Sequence, residues 1–140
     1  MIKVVLDTNV LVAALRSRRG ASFTVLHRVG PEAAFRLAIS VPLVLEYEMA
    51  LKRSTGLSET DAEIVVDYLC RVSEHRRIHF LWRPFLRDPA DEMVLEVAVE
   101  AGADVIITHN ARDFHGVEER FGIRVLSPGV FLEWLEVQQR

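Results

Sequence analysis

Residues 3–15 read KVVLDTNVLVAAL, an apolar run that is interrupted only at Asp7, Thr8 and Asn9. The short apolar segment before the interruption predicts a buried strand, and the apolar spacing after it predicts a helix. In the simplest interpretation a strand ends here and a polar side chain caps the helix that follows. In the second interpretation Asp7 is presented at the carboxyl end of a strand, where α/β proteins bind their ligands. The two interpretations are compatible, since Thr8 or Asn9 could cap the helix.

Strand-like and helix-like segments alternate along the rest of the chain, which predicts βαβ units, a parallel sheet and an α/β sandwich. There is no repeat, low-complexity tract or linker, so we expect one domain over residues 1–140. The further predicted strands are residues 35–40, 77–82, 104–108 and 124–126. The further predicted helices are residues 21–29, 42–54, 58–76, 88–103 and 127–139.

Composition restricts the class of protein. Half of the residues are hydrophobic, which is enough for a core, and the net charge of −3 does not favour nucleic-acid binding but does not exclude it. A single cysteine, Cys70, excludes an internal disulfide and thiolate zinc sites, and we expect it to be a buried small residue. With no apolar run of about 20 residues and no signal-peptide pattern, we expect a cytoplasmic protein without membrane contact.

Acidic residues from distant parts of the sequence are predicted to meet at one edge of the sheet. Asp7 and Asp113 follow predicted strands, and the helix before residue 104 begins with Asp88 and Asp91. Glu46 lies early in the helix that follows the second strand. Because parallel strands end at the same edge, these carboxylates can converge on one cleft.

Each of these acids also has an ordinary structural explanation. Asp7 could cap a helix, Asp113 could stabilise a turn, and Asp88 and Asp91 could complement a helix dipole. Glu46 could be a solvated helix carboxylate. Together, however, convergent carboxylates repel one another, and a divalent cation converts that cost into binding. Mg²⁺ or Mn²⁺ held by carboxylate oxygens would support hydrolysis of phosphodiester bonds by activated water.

Four segments of the chain resemble PIN-domain ribonucleases, in particular the toxin components of VapC-like toxin–antitoxin pairs. The segments are VVLDTNVLVAAL (4–15), LAISVPLVLEYEMAL (37–51), RDPADEMVLEVAVEAGADVIITHNARDF (87–114) and GIRVLSPGVFLEWL (122–135), of which the first and third are the most specific. The resemblance covers nearly the whole chain. It implies a three-layer α/β/α sandwich with a central parallel sheet of about five strands and a Mg²⁺-dependent ribonuclease site.

The resemblance also implies which residues carry the site. The first acid corresponds to Asp7 and the second to Glu46, with Glu48 as its neighbouring competitor. The third corresponds to Asp91 or, as the alternative, Asp88. The fourth corresponds to Asp113, with Asn110 as the alternative and as a ligand of water or substrate. The supporting residues would be Thr8, Asn9, which can hold an acidic ligand, and Thr108, which can orient the site.

Basic residues and partners complete the sequence-based hypothesis. Arg87 and Arg112 flank the acidic segments and are the best candidates for contacts with RNA phosphates. The resemblance further implies a homodimer and a separate antitoxin protein that blocks the site. The apolar residues of 42–51 or of 65–69 could form such protein surfaces.

Two other functions remain open at this stage. A phosphatase of the haloacid-dehalogenase kind needs a second acid two residues after the first, but the chain has Asn9 at that position. A PIN-like module could instead bind RNA or a partner without cutting. The dependence of cleavage on a divalent metal distinguishes these functions.

Overall fold

The computed structural model describes all 140 residues and contains a central sheet of five parallel strands. The strands are β1 (Ile2–Leu6), β2 (Phe35–Ile39), β3 (Glu74–His75), β4 (Val105–Ile107) and β5 (Arg124–Leu126), and their order across the sheet is β3-β2-β1-β4-β5. Successive side chains of a strand point to opposite faces, and Val4 to Leu6 and Val105 to Ile107 are all buried. Both faces of the sheet are therefore covered, as the predicted sandwich requires.

Seven α-helices surround this sheet, and the predicted α/β architecture is confirmed. They are α1 (Thr8–Arg16), α2 (Ala21–His27), α3 (Val41–Ser54), α4 (Glu59–Val72), α5 (Pro89–Ala101), α6 (Val117–Phe121) and α7 (Pro128–Gln138). The hydroxyls of Ser58 and Ser127 accept the N-cap bonds of α4 and α7. None of the helices has the length and apolar character needed to cross a membrane.

The predicted strand over residues 77–82 is wrong. The third strand consists only of Glu74–His75, which pairs with Ala38 and Ile39 at the edge of the sheet. After the N–H of Arg76 donates to the carbonyl of Ile39, the chain leaves the sheet, and residues 77–82 are irregular. Their β-forming residues find no partner strand, and the rings of Phe80 and Trp82 make a tilted contact with each other instead.

Three smaller predictions also need correction. Helix α4 ends at Val72 rather than at residue 76, and Cys70 on this helix is half-buried rather than buried. A short 3₁₀ helix (Ala111–Phe114) and α6 follow β4 where only loop was expected. These turns place the Asp113 segment over the carboxyl edge of the sheet.

The strand order fixes where a ligand site can form. The chain moves from β1 outwards through β2 and β3, and then crosses to β4 and β5 on the other side of β1. The order therefore reverses between β1 and β4, which pair in parallel register from Val4 with Val105 to Leu6 with Ile107. In open α/β sheets the ligand crevice lies at the carboxyl ends of the strands at this reversal.

Candidate active site

Asp7 lies at the reversal point and is bonded across it. It is only 5% exposed, and its Oδ2 accepts a 2.7 Å hydrogen bond from the hydroxyl of Thr108, directly after β4. Its backbone N–H donates to the carbonyl of Ile107 at 2.9 Å. The carboxylate makes no cap bond to α1, and neither Thr8 nor Asn9 caps this helix, since both belong to its first turn. Asp7 therefore occupies the N-cap position of α1 without a side-chain cap bond, and its carboxylate is turned towards Thr108.

The strand end that carries Asp7 is supported from α3. The hydroxyl of Tyr47 donates a 2.6 Å hydrogen bond to the carbonyl of Leu6, and the tyrosine side chain is buried. Burial and the neighbouring charge of Asp7 both raise the pKa of Tyr47, so it stays a neutral donor. This bond holds β1 in place immediately before the carboxylate.

Two clefts open at this edge and meet at three shared aspartates. The larger cleft, of about 720 Å³, and the smaller one, of about 600 Å³, are both lined by Asp88, Asp91 and Asp113. Asp7 lines the smaller cleft as well. The structure thus brings together the four aspartates that the sequence selected.

Asp88 and Asp91 have different environments within this group. Oδ1 of Asp88 accepts from the N–H of Ala90 at 2.9 Å, so this exposed residue is the N-cap of α5. Asp91 lies in the first turn of the same helix, is 8% exposed and makes no hydrogen bond through its side chain. The buried carboxylate of Asp91 is therefore the one available to a ligand.

Burial and mutual repulsion raise the pKa of both buried aspartates. For Asp91 the pKa rises from 3.8 to about 7, first because of burial and then because of the charges of Asp7, Asp88 and Asp113. Burial also raises the pKa of Asp7, against the lowering effect of the Thr108 hydrogen bond, and Asp113 and Asp88 raise it further. The site accumulates negative charge that no cationic side chain neutralises directly.

The polar residues after β4 lie around Asp7. Asp113 is exposed on the 3₁₀ helix and lines both clefts, whereas Asn110 lines only the smaller one. The N–H of Asn110 donates to the Thr108 hydroxyl at 3.0 Å, which fixes the donor to Asp7. Oδ1 of Asn9 accepts from the N–H of His109 at 3.4 Å, so Asn9 secures this loop rather than an acidic side chain.

Glu46 does not line either cleft. Helix α3 reaches the smaller cleft through Ala50, Arg53 and Ser54, which lie nearer its C-terminal end. Glu46 is half-buried without a hydrogen bond or ion pair, whereas Glu48 is paired with Lys52 at 3.0 Å. Because residues four and seven apart share a helix face, Glu46 lies on the same face as Ala50 and Arg53.

Basic residues flank the aspartates on both sides. Arg87 and Arg112 line the larger cleft, and Arg16 and Arg53 line the smaller one. The first pair was predicted from the sequence, because these residues adjoin the acidic segments in the chain. The second pair comes from the ends of α1 and α3, and their basic last turns were the only signal.

The donor set fits a hard divalent cation. All of its ligand atoms are oxygens, and the hydroxyl of Thr8, at the wall of the smaller cleft, is buried without a hydrogen-bond partner. As folded, no three acidic, histidine or cysteine side chains converge closely enough to hold an ion by themselves. Mg²⁺ commonly uses one or two carboxylates and completes its shell with waters and substrate phosphate oxygens. Asp7 and Asp91 are the buried pair suited to this.

The raised pKa of Asp91 predicts how stability changes with pH in EDTA. Between about pH 4 and pH 7 the folded protein keeps a proton that the unfolded chain has lost, so the free energy of unfolding should fall as the pH rises through this range. Asp91→Asn should remove this part of the fall and stabilise the protein at pH 8 by about 1–3 kcal/mol. Urea denaturation at pH 5 and pH 8 measures both effects.

Glu136→Gln, at an exposed and unpaired position on α7, is the matched control and should leave the pH profile unchanged. A loss of stability in Asp91→Asn at pH 8 would show that the carboxylate has a structural role instead.

The fold of this chain is similar to that of several solved structures. Solved structures with a similar fold include VapBC-1 from nontypeable Haemophilus influenzae, with a TM-score of 0.63, 17% identity, and coverage of 91% of this chain and 99% of that chain. VapBC2 from Rickettsia felis, bound to a DNA fragment from its promoter, has a TM-score of 0.59 at 14% identity. The match covers 90% of this chain and 98% of that chain. FitAcB from Neisseria gonorrhoeae has a TM-score of 0.55 at 14% identity. The match covers 89% of this chain and 97% of that chain.

No curated protein matches the chain. The family model of the PIN domain matches residues 3–112, a range that begins before Asp7 and ends after Asn110. This match covers most of the chain, and the all-parallel sheet of five strands is consistent with it. The chain therefore belongs to the PIN domain family.

Proposed function

We propose that this protein is a Mg²⁺- or Mn²⁺-dependent endoribonuclease that hydrolyses phosphodiester bonds of RNA in the cytoplasm. The observation that carries the proposal is the buried pair Asp7 and Asp91, which share a cleft with Asp88 and Asp113 and have raised pKa values. A fold keeps such uncompensated carboxylates at a cost, and a divalent cation offsets that cost.

The residues of the site have distinct roles in this proposal. Asp7 and Asp91 bind the cation, and Asp113 and Glu46 complete the acidic set. A divalent cation held by Asp7 and Asp91 would supply an activated water and positive charge for the reacting phosphate. The Thr108 hydroxyl orients Asp7, as supporting hydrogen bonds do for metal ligands generally. The cap bond of Asp88 fixes the start of α5 and hence the position of Asp91.

The flanking arginines would allow a polyanion to bind at the acidic centre. Arg87 and Arg112 on one side and Arg16 and Arg53 on the other would contact phosphates before and after the scissile bond. The guanidinium group suits phosphate because it donates in a planar fork. This arrangement explains how a chain of net charge −3 could bind RNA.

We further propose that the protein is the toxin of a type II toxin–antitoxin pair and forms a homodimer. The similar structures bear the names VapBC and FitAB, which supports a partner protein of the antitoxin kind. A strip of exposed apolar side chains on α3 and α4 is available for protein contacts. It consists of Val41, Leu45, Met49, Ile64 and Tyr68.

The alternative function is a PIN-like module that binds RNA or a partner without cutting. Two observations favour it: Glu46 does not line the cleft with the aspartates, and no three acidic, histidine or cysteine side chains converge closely enough to hold an ion by themselves. The absence of metal-dependent cleavage by a protein that still retains RNA would support this alternative.

Asp7→Asn should keep the fold and lose cleavage. Asparagine can still accept the Thr108 hydrogen bond, but it lacks the charge that binds a cation, so we expect a fall in rate of about 100-fold or more. The assay is cleavage of a panel of end-labelled RNAs with Mg²⁺ or Mn²⁺ and with EDTA. Glu136→Gln, purified in the same way, should cut at the wild-type rate. Cleavage that survives in Asp7→Asn or in EDTA would contradict the proposal.

Glu46→Gln and Glu48→Gln form a matched pair on α3. Glu46 shares its helix face with cleft residues and has no other partner, so its loss should slow cleavage about 10-fold or more. Glu48 is paired with Lys52, and its loss should leave the rate unchanged. Equal rates for both variants would remove Glu46 from the site. Rates are compared at saturating metal, and thermal melting checks that both variants fold.

A further inference from the structure

A row of aromatic rings adjoins the acidic cleft and has no role in the proposed reaction. It consists of Phe85, Phe121, Trp82 and Phe80, and we name it the aromatic platform. The ring centroids of successive members are 5.3, 5.1 and 4.5 Å apart, in edge-to-face or tilted contacts. The platform therefore runs from Phe85, which lines the larger cleft, to Phe80 at the surface.

The inner end of the platform is anchored to the helix that carries Asp91. The carboxylate of Glu92 accepts hydrogen bonds from the N–H groups of Phe85, at 2.7 Å, and Leu86. One turn further along α5, Glu96 binds the guanidinium of Arg83 through two hydrogen bonds of 2.9 and 3.1 Å. Both glutamates are buried. The rings are therefore held at a defined position relative to the acidic centre.

The outer end of the platform is exposed, and a cation lies beside its two middle rings. Phe80 is 58% exposed and its neighbour Leu81 is 60% exposed, an arrangement that marks binding surfaces on soluble proteins. The guanidinium of Arg120 lies 5.7 Å from the Trp82 ring centroid and 5.4 Å from that of Phe121. An exposed aromatic ring with a cation nearby is a combination that binds unpaired nucleic-acid bases.

We propose that the aromatic platform is a subsite that binds unpaired bases of the RNA whose backbone crosses the acidic cleft. This inference rests on the proposed nuclease function. Continuity with the cleft and the cations of Arg87, Arg112 and Arg120 favour RNA over an apolar protein segment as the occupant. A duplex hides its base faces and cannot stack on the rings.

The chain offers a fluorescent reporter for this contact. It has two tryptophans, so Trp134→Phe leaves Trp82 of the platform as the only one. The variant is titrated in EDTA, where nothing is cut, with an unstructured RNA of about 12 nucleotides and with a blunt duplex of equal length. The single strand should change the Trp82 emission, and the duplex should bind at least about 10-fold more weakly.

Phe80→Ala then tests the exposed ring without disturbing the core. Its affinity for the single strand should fall about 10-fold, because stacking of one base contributes roughly that factor or more. Val137→Ala is the matched control, since Val137 is 57% exposed on α7 and is not part of the platform. The control should bind as the parent does. Thermal melting should show both variants folded.

Three results would overturn the inference. The first is RNA binding that leaves the Trp82 emission unchanged, together with full RNA affinity in Phe80→Ala. The second is a protein that binds the single strand and the duplex equally, or binds neither. The last is a Phe80→Ala variant that binds RNA normally but loses self-association, which would assign the surface to a second copy of the chain. Metal-dependent cleavage by the same preparation tests the nuclease proposal separately, so the two failures are distinguishable.

Discussion

The hydrogen bond from Thr108 to Asp7 joins the ends of β1 and β4 where the strand order of the sheet reverses. It links residues that lie 101 positions apart in the chain, so it forms only when the two strands pair in their observed register. The sheet thereby holds a buried carboxylate at its carboxyl edge. The cleft and the helix that presents Asp91 are both arranged around this position.

The acidic centre lowers the stability of the domain. Buried strands and helices around β1 provide the favourable apolar burial, whereas Asp7 and Asp91 lose solvation and repel each other. The hydrogen bonds that support the site fix the positions of its groups and do not neutralise their charge. Tyr47 holds the strand end and Thr108 holds one carboxylate oxygen, but no arginine or lysine neutralises the pair. Such an arrangement is expected of a site that binds a cation together with an anionic substrate.

Much of the fold follows from local patterns in the sequence. The buried strands and the serine caps of α4 and α7 were predictable because apolar runs and cap residues are local signals. Residues 77–82 were not, because their alternation resembles a strand, whereas the structure offers them no partner strand and uses their rings in the platform. Asp7 and Asp113 were identified because they follow predicted strands, and Asp88 and Asp91 because they begin a predicted helix. Arg16 and Arg53 belong to basic groups of the sequence, but only the packing of α1 and α3 shows that these two residues reach the cleft.

The most direct test of the acidic centre is a crystal structure of the protein grown with Mn²⁺, read from the anomalous scattering of the metal. We expect an anomalous peak in the cleft between the carboxylates of Asp7 and Asp91. The same crystals grown from Asp91→Asn should show a much weaker peak. Full occupancy of an ion elsewhere on the protein, with none at these carboxylates, would contradict the account.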